Sequence, residues 1–293
     1  MITILTTFKP FVGDDDTRQR NALFSWFALG DEVEVLVFGD PSVPEDIAER
    51  FNVVHFPNNW RDTGMPTVEE AFCIGQRVAK NELLGFINGD IILCADFLKA
   101  IRCVNFKRYL AIGQRLDSDY FAKIDAASPS QILEFSLNAK KDGRLRGPGA
   151  LDYFIFPRGT FTDIPALVPG GRFWDNYMVH FCRTRGIPVV DLTKDIQATH
   201  QNHDYKAAPT GRRMMDDGPA TLHNRSIVLS EDPYCCVITP GTANDASHVM
   251  RNGKIGPFYT SIRHLICQTK KTINRAFRRI GVYPTLRKIR GQD

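Results

Sequence analysis

Asn88-Gly89-Asp90 follows directly on Leu83-Leu84-Gly85-Phe86-Ile87, an apolar run without alternation. An acid at the carboxyl end of a buried strand adds little to stability and is well placed to hold a hard cation. Mg²⁺ or Mn²⁺ prefers carboxylate oxygens and bridges to phosphate oxygens. Gly89 permits a sharp turn or the close approach of a ligand to the backbone. The same tripeptide also reads as a plain Asn-Gly turn. Two further places carry reactive groups. Trp174-Asp175-Asn176 sets an acid at the start of a helical run, where an N-cap is the structural alternative. His200-Gln201-Asn202-His203-Asp204-Tyr205 crowds two imidazoles, two amides and a carboxylate into six residues.

The elements that must position these groups are legible from patterning. Residues 2–7 read as a buried strand, and Asp14-Asp15-Asp16-Thr17 offers N-cap candidates for a helix reaching Leu29. Val33 to Phe38 is a second β-rich run. Val43 to Phe51 predicts a short helix and Val53 to Phe56 a third strand. Pro66 at a first helical turn, followed by Thr67 to Lys80, predicts another helix. Leu83 to Ile87 suits a strand covered on both faces. Ala95 to Val104 is helical in pattern and Tyr109 to Gly113 a strand. This alternation argues for an open, mostly parallel α/β sheet, which binds ligands at the carboxyl ends of its strands. After a polar stretch from Gln114 to Asp119 come a helix over Ser128 to Lys140, a strand over Leu151 to Phe156, a helix over Trp174 to Thr184 and a strand over Val189 to Asp191. The histidine-rich segment reads as a polar loop. Tyr205 to Gly256 shows little periodicity, and Phe258 to Ile280 is helix-like.

The strand-end tripeptide in this setting resembles that of GT-A glycosyltransferases, the nucleotide-diphospho-sugar transferases, over about residues 1–205. In that family an Asp-x-Asp-like motif follows the fourth core strand, and its last acid binds the divalent ion bridging the donor's phosphates. Asp90 matches that acid, whereas Asn88 departs from the pattern and leaves fewer negative ligands. The resemblance implies a GT-A-like, Rossmann-related central mixed sheet flanked by helices. It divides the chain into a catalytic domain at 1–205 and an extension at 206–293, with a nucleotide-binding half at 1–115 and an acceptor half at 116–205. It also implies Mn²⁺ or Mg²⁺ as cofactor, a UDP- or GDP-linked sugar as donor and a carbohydrate or lipid-linked acceptor.

Further residues follow from the same resemblance. Thr7, Phe8 and Lys9 resemble the loop that holds base and ribose, Asp40 the acid that binds the base, and Pro66 the loop beneath the nucleotide. With Asn88, Gly89 and Asp90 they make up the nucleotide-sugar side. Arg20 and Arg115 are phosphate candidates because guanidinium suits paired oxygens; a solvated helix face and a structural ion pair are the respective alternatives. Asp175 matches the general base of inverting members, which takes the proton of the acceptor hydroxyl. His203 or His200 would complete the metal site as a neutral imidazole. Trp174 offers either a sugar-stacking face or core packing, and Asp152 either an acceptor contact or an edge-strand role. Asp117 and Asp119 are further acids to which the pattern assigns no role.

Composition bounds the alternatives. With 43% hydrophobic and 24% charged residues the chain is an ordinary globular protein. It contains no apolar run long enough to span a membrane. The first residues begin as a strand without a basic, apolar leader, so residence in the cytosol is the default expectation. Seven cysteines with no C-x-x-C spacing argue against zinc or a disulfide framework. Residues 261–293 hold nine basic residues against one acid. That basic amphipathic tail suits an anionic membrane surface or a packed terminal helix with a solvated face, and no motif points to nucleic acid. A nucleotidyltransferase would need a Gly-rich basic loop where Phe8-Lys9-Pro10-Phe11-Val12-Gly13 stands. A non-catalytic binding module would have no need of Asp90 and Asp175 together.

Overall fold

A computed structural model describes residues 1–31, 33–40, 43–51, 53–57, 66–203, 218–231, 241–258 and 269. The tail read as a membrane-contacting or packed helix lies outside them, apart from Thr269. Nine strands form one mixed, largely parallel sheet in the order β13-β12-β10-β6-β9-β4-β1-β2-β3. They are β1 (Ile2–Thr6), β2 (Val33–Phe38), β3 (Val54–Phe56), β4 (Leu83–Ile87), β6 (Leu110–Gln114), β9 (Leu151–Pro157), β10 (Val189–Asp191), β12 (His248–Arg251) and β13 (Lys254–Pro257). Strand β9 enters antiparallel between β4 and β6, and β13 closes the edge antiparallel to β12; the remaining pairs are parallel.

Alternation along these strands fills two cores, one on each face of the sheet. One holds Ile2, Ile4, Val35, Val37, Tyr153 and Ile155 under α1 (Gly13–Phe27), α4 (Ala95–Arg102) and α5 (Pro129–Asp142). The other holds Leu5, Leu36, Phe38, Phe86, Phe154 and Phe156 under α3 (Val68–Val78), α6 (Trp174–Thr184) and α7 (Pro219–Glu231). Helix α2 (Glu45–Phe51) stacks Phe51 on Phe27 of α1, ring on ring at 4.0 Å. The result is a three-layer α/β fold with both faces of the sheet covered. Among the described residues, no helix is long and apolar enough to cross a membrane.

Local expectations need correction in several places. Helix α1 begins at Gly13 with Val12 as a cap that makes no side-chain bond, so Asp14, Asp15 and Asp16 sit in its first turn. There they complement the helix dipole instead of capping it. Pro66 precedes the first turn of α3; Thr67 is the N-cap and accepts from the Glu70 N–H at 3.2 Å. The polar stretch after Gly113 and the histidine-rich loop both contain strands. These are β7 (Leu116–Ser118) and β11 (Thr199–Gln201), which join β5 (Ile91–Ile92) and β8 (Arg144–Leu145) in a second sheet ordered β5-β11-β7-β8. The segment without periodicity supplies α7, a 3₁₀ turn at Ala243–Asp245 and the β12-β13 hairpin.

Candidate active site

The small sheet is built where the carboxyl ends of β4 and β6 leave the large one. The β4–β9 ladder places Ile87 opposite Tyr153, and the next pair is Asn88 beside Asp152, whose carbonyl accepts the Asn88 N–H at 3.0 Å. The chain then turns through Gly89. A Cβ there would lie 2.5 Å from Phe8 Cδ1 and 2.7 Å from the Thr7 carbonyl oxygen, so only glycine lets this turn lie against the end of β1. The Ile91 N–H closes the turn on the Asn88 carbonyl at 3.2 Å, and Trp26 of α1 donates its indole N–H to Ile91 O at 2.9 Å.

Strand β11 lies between β5 and β7, with His200 in register with both Ile91 and Asp117. That register carries the imidazole to the carboxylate of Asp90. His200 Nε2 lies 3.4 Å from Asp90 Oδ2, and His203 Nε2 lies 3.6 Å from the same oxygen. One ligand atom from each residue falls within 4.8 Å of the other two, a grouping able to hold a metal ion. Gln201 fixes the arrangement from behind: its amide donates to Arg18 O and Asp90 O and accepts from Asn21 Nδ2.

Electrostatics follow from this packing. Burial disfavours charge at Asp90, but the His200 and His203 imidazoles beside it outweigh burial and hold the carboxyl far below its ordinary range. Burial likewise opposes charge on His200, yet the Asp117 and Asp90 carboxylates raise it to about 9. Arg115 donates from Nε to Asp117 Oδ1 at 2.7 Å and from a terminal nitrogen to both Asp152 oxygens at 3.0 and 3.1 Å. Asn88 Nδ2 donates to Asp152 Oδ1 at 2.5 Å.

Asp175 is the second residue of α6, following Trp174 and the N-cap Phe173, which takes a left-handed conformation at φ 83°. A non-glycine residue held there stores strain at the entrance to the helix. Burial raises the Asp175 carboxyl to about 7, opposed by the Asn176 backbone N–H and reinforced by the Asp152 charge. Asn176 donates to the carbonyls of Gly149 and Gly241, tying the helix start to the loop at Gly147-Pro148-Gly149. That loop borders a cleft of about 660 Å³ lined by Asp117, Asp119, Asp142, Arg144, Arg146 and Asn202.

The residues named from sequence do not all gather here. Asn88, Asp90, Arg115, Asp152, His200 and His203 form one contact network joined through Asp117, and Asp175 feels the charges of Asp152 and Arg115. Thr7 abuts Gly89 through its carbonyl. Phe8 is 5% exposed and packs on Phe11 and Trp26, which makes its ring a core side chain and not a base contact. Trp174 is also 5% exposed, packed against Phe86 and Phe154, so its indole belongs to the core and not to an acceptor face. Lys9 pairs loosely with Asp15, and Arg20 binds Asp16 and Asp46. Asp40 is exposed beyond Gly39, whose backbone packs on Pro66. Arg115 has two carboxylates as partners, the ion-pair alternative of the sequence reading. The sequence assigns no role to Asp117 or Gln201, because their part depends on strand registers that three-residue polar strands do not announce.

An open α/β sheet with a carboxylate–imidazole cluster at its strand ends therefore defines the class of this chain. No protein-family profile and no curated protein matches it. Solved structures similar to it include glucosyl-3-phosphoglycerate synthase from Mycobacterium tuberculosis in complex with Mg²⁺ and uridine diphosphate, at 15% identity, 78% coverage of each chain and a TM-score of 0.42. Another is S. aureus TarS 1–349, at 15% identity and a TM-score of 0.31, covering 42% of this chain and 38% of that one. A third is HddC from Yersinia pseudotuberculosis, at 12% identity and a TM-score of 0.33, covering 56% of this chain and 79% of that one. The chain thus matches less than two fifths of the TarS structure. These likenesses are distant.

Proposed function

We propose that the chain is a metal-dependent glycosyltransferase that moves a sugar from a nucleoside-diphosphate donor to a hydroxyl acceptor with inversion. The convergence of Asp90, His200 and His203 at the end of β4, with Asp175 set apart from them, carries this reading. One carboxylate oxygen and two imidazole nitrogens fit a divalent transition ion, and the imidazoles favour Mn²⁺ over Mg²⁺. Such an ion, held by Asp90, His200 and His203, would neutralise the departing diphosphate. Asn88 and the Thr7–Gly89 contact would then face the nucleotide, with Asp40 and Pro66 at the neighbouring strand end. The cleft beside Asp117 and Asn202 would take the acceptor.

Asp175 is the group suited to move a proton. With its carboxyl near 7 it is about half ionised at neutral pH, where a general base is most effective. It would take the proton of the acceptor hydroxyl as that oxygen bonds to the anomeric carbon, while the bond from that carbon to the diphosphate breaks and its electron pair leaves with the phosphate. The pairing of Asp152 with Arg115 and Asn88 keeps that neighbouring carboxylate engaged within the protein.

A panel of UDP- and GDP-linked sugars, screened by thermal shift with Mn²⁺, tests the reading, since a donor that binds the folded chain raises its melting temperature. At least one nucleotide-sugar should stabilise the protein only with the ion present, and Asp175→Asn should keep that stabilisation while losing transfer. Stabilisation by nucleoside triphosphates together with sugar phosphates, and by no nucleotide-sugar, would point instead to nucleotidyl transfer.

A further inference from the structure

We propose that Asp117 is a positioning residue for the metal cluster: it orients the His200 imidazole so that Nε2 is directed at Asp90 and the ion, and Arg115 holds Asp117 in place for that task. The inference rests on the metal reading above and concerns residues that do not themselves reach the ion.

Six side chains form a ring that begins and ends on one turn. Asn88 donates to Asp152 at 2.5 Å, Asp152 accepts from Arg115 at 3.0 Å, and Arg115 donates to Asp117 at 2.7 Å. Asp117 Oδ1 lies 3.2 Å from His200 Nδ1, and His200 Nε2 lies 3.4 Å from Asp90. Asp90 returns to Asn88 through Gly89.

Strand registers generate the ring. The β4–β9 ladder sets Asn88 by Asp152, and β6 runs on into β7 through a bulge at Gly113, between Ile112 and Gln114. A Cβ at Gly113 would lie 1.8 Å from the Tyr153 hydroxyl, so glycine is needed where the chain leaves the large sheet for the small one. Arg115 falls on this crossing, facing Asp152 on one side and Asp117 on the other. The β7–β11 pair then sets Asp117 beside His200, and the β11–β5 pair returns His200 to the turn.

An imidazole has two handles. His200 is nearly enclosed, with its side chain 4% exposed, and Nε2 is the atom turned to Asp90. Nδ1 is therefore the atom by which the protein sets the ring; it lies 3.2 Å from Asp117 Oδ1, out of line for a hydrogen bond as the two groups now stand, and it has no other hydrogen-bond partner. A carboxylate opposite Nδ1 selects the tautomer with hydrogen on that nitrogen. Once an ion takes the place of the Nε2 proton, that lone pair is left to the metal and is the more basic for the partner; loss of such a partner typically weakens metal binding by about 10- to 100-fold. Asp117 can serve only as a fixed anion. Two cationic groups secure it, with Arg115 bonded and Arg146 at 3.6 Å. The arrangement also gives Asn88 a task despite its lack of charge: its amide N–H group anchors Asp152, which anchors Arg115.

The test uses the full chain and Mn²⁺ alone, counted by electron paramagnetic resonance, together with ¹⁵N-histidine spectra recorded with diamagnetic Zn²⁺. Wild type should bind Mn²⁺ and show His200 protonated at Nδ1 and metallated at Nε2. Asp117→Ala should weaken Mn²⁺ binding at least tenfold and give His200 a mixture of tautomers, a change that a merely structural role in the small sheet would not produce. Asp117→Asn, which keeps an acceptor oxygen and serves if the alanine variant does not fold, should retain the tautomer and lose at least threefold in affinity. Wild-type binding with unchanged affinity in either folded variant overturns this inference and leaves the proposed function standing. No Mn²⁺ binding by the wild-type chain overturns both.

Discussion

Replacing Asp175 by asparagine separates the proton chemistry of that carboxylate from its place in the fold. The folded protein holds the Asp175 proton up to about pH 7, mainly through burial, whereas the ordinary value is 3.8. Between those values the folded chain keeps a proton that the unfolded chain has released. Stability therefore falls as pH rises across that window and levels off above it. The full gap corresponds to at most about 4 kcal/mol, of which about 2–3 kcal/mol is expressed between pH 5 and pH 8. Asparagine keeps the size of the side chain and does not titrate. Urea unfolding of both proteins at pH 5, 6, 7 and 8 should show Asp175→Asn gaining that amount relative to wild type as pH rises. Titrating groups that are not coupled to Asp175 cancel in the difference. The same proton governs chemistry, since only the ionised carboxylate acts as a base. Transfer by wild type should rise with pH to a plateau above about 7, and the asparagine variant should lose about 10²- to 10⁴-fold. A bound divalent ion would favour the charged form and move the plateau to lower pH. Stability curves that run parallel from pH 5 to pH 8 would refute the reasoning.

Gly89→Ala forces the turn away from Phe8 and Thr7 by close to 1 Å, given contacts of 2.5 and 2.7 Å at the new Cβ. It should cost about 1–3 kcal/mol in urea unfolding and weaken Mn²⁺ binding, and an unchanged denaturation midpoint would count against the packing described. Arg158 donates to the carbonyls of Gln76, Ala79 and Asn81 around the end of α3 and pairs with Glu82. Arg158→Ala leaves those carbonyls without their partner and should destabilise by about 2–3 kcal/mol in the same assay. Trp174→Ala should lose about 3–5 kcal/mol as a core truncation; a raised acceptor KM with stability intact would restore the indole to the acceptor side.

What the sequence disclosed depended on how far each signal reaches along the chain. Leu83 to Ile87 and Leu151 to Phe156 are read correctly because strands covered on both faces are apolar along nearly their whole length, with Asp152 the one charged exception. Asp90 stands out because an acid at such a strand's end has few structural reasons to be there. The histidines drew notice by density, yet their route to Asp90 was hidden. Strands β7 and β11 have three residues each and are largely polar, too short for alternation to register. The pairing of Arg115 with Asp152, and of Asp117 with His200, is a consequence of register between segments 37 and 83 residues apart in the sequence. The sequence suggests chemistry for Phe8 and either chemistry or core packing for Trp174, because aromatic rings serve cores and ligands alike. Only their burial against Trp26 and against Phe86 and Phe154 decides between the two. Helix α7 escaped notice because its apolar residues form no strong stripe: Val228 is buried while Leu222 and Leu229 are exposed.

Calorimetry of UDP and GDP binding, with and without Mn²⁺, in wild type and Asp90→Ala, bears most directly on the proposed metal-bridged nucleotide site. One of the two nucleotides should bind wild type at least tenfold more tightly with Mn²⁺ than without it, and Asp90→Ala should abolish that difference. Equal affinity with and without the ion in wild type, or an undiminished Mn²⁺ effect in Asp90→Ala, would contradict the assignment of Asp90 as the ligand that joins protein, ion and diphosphate.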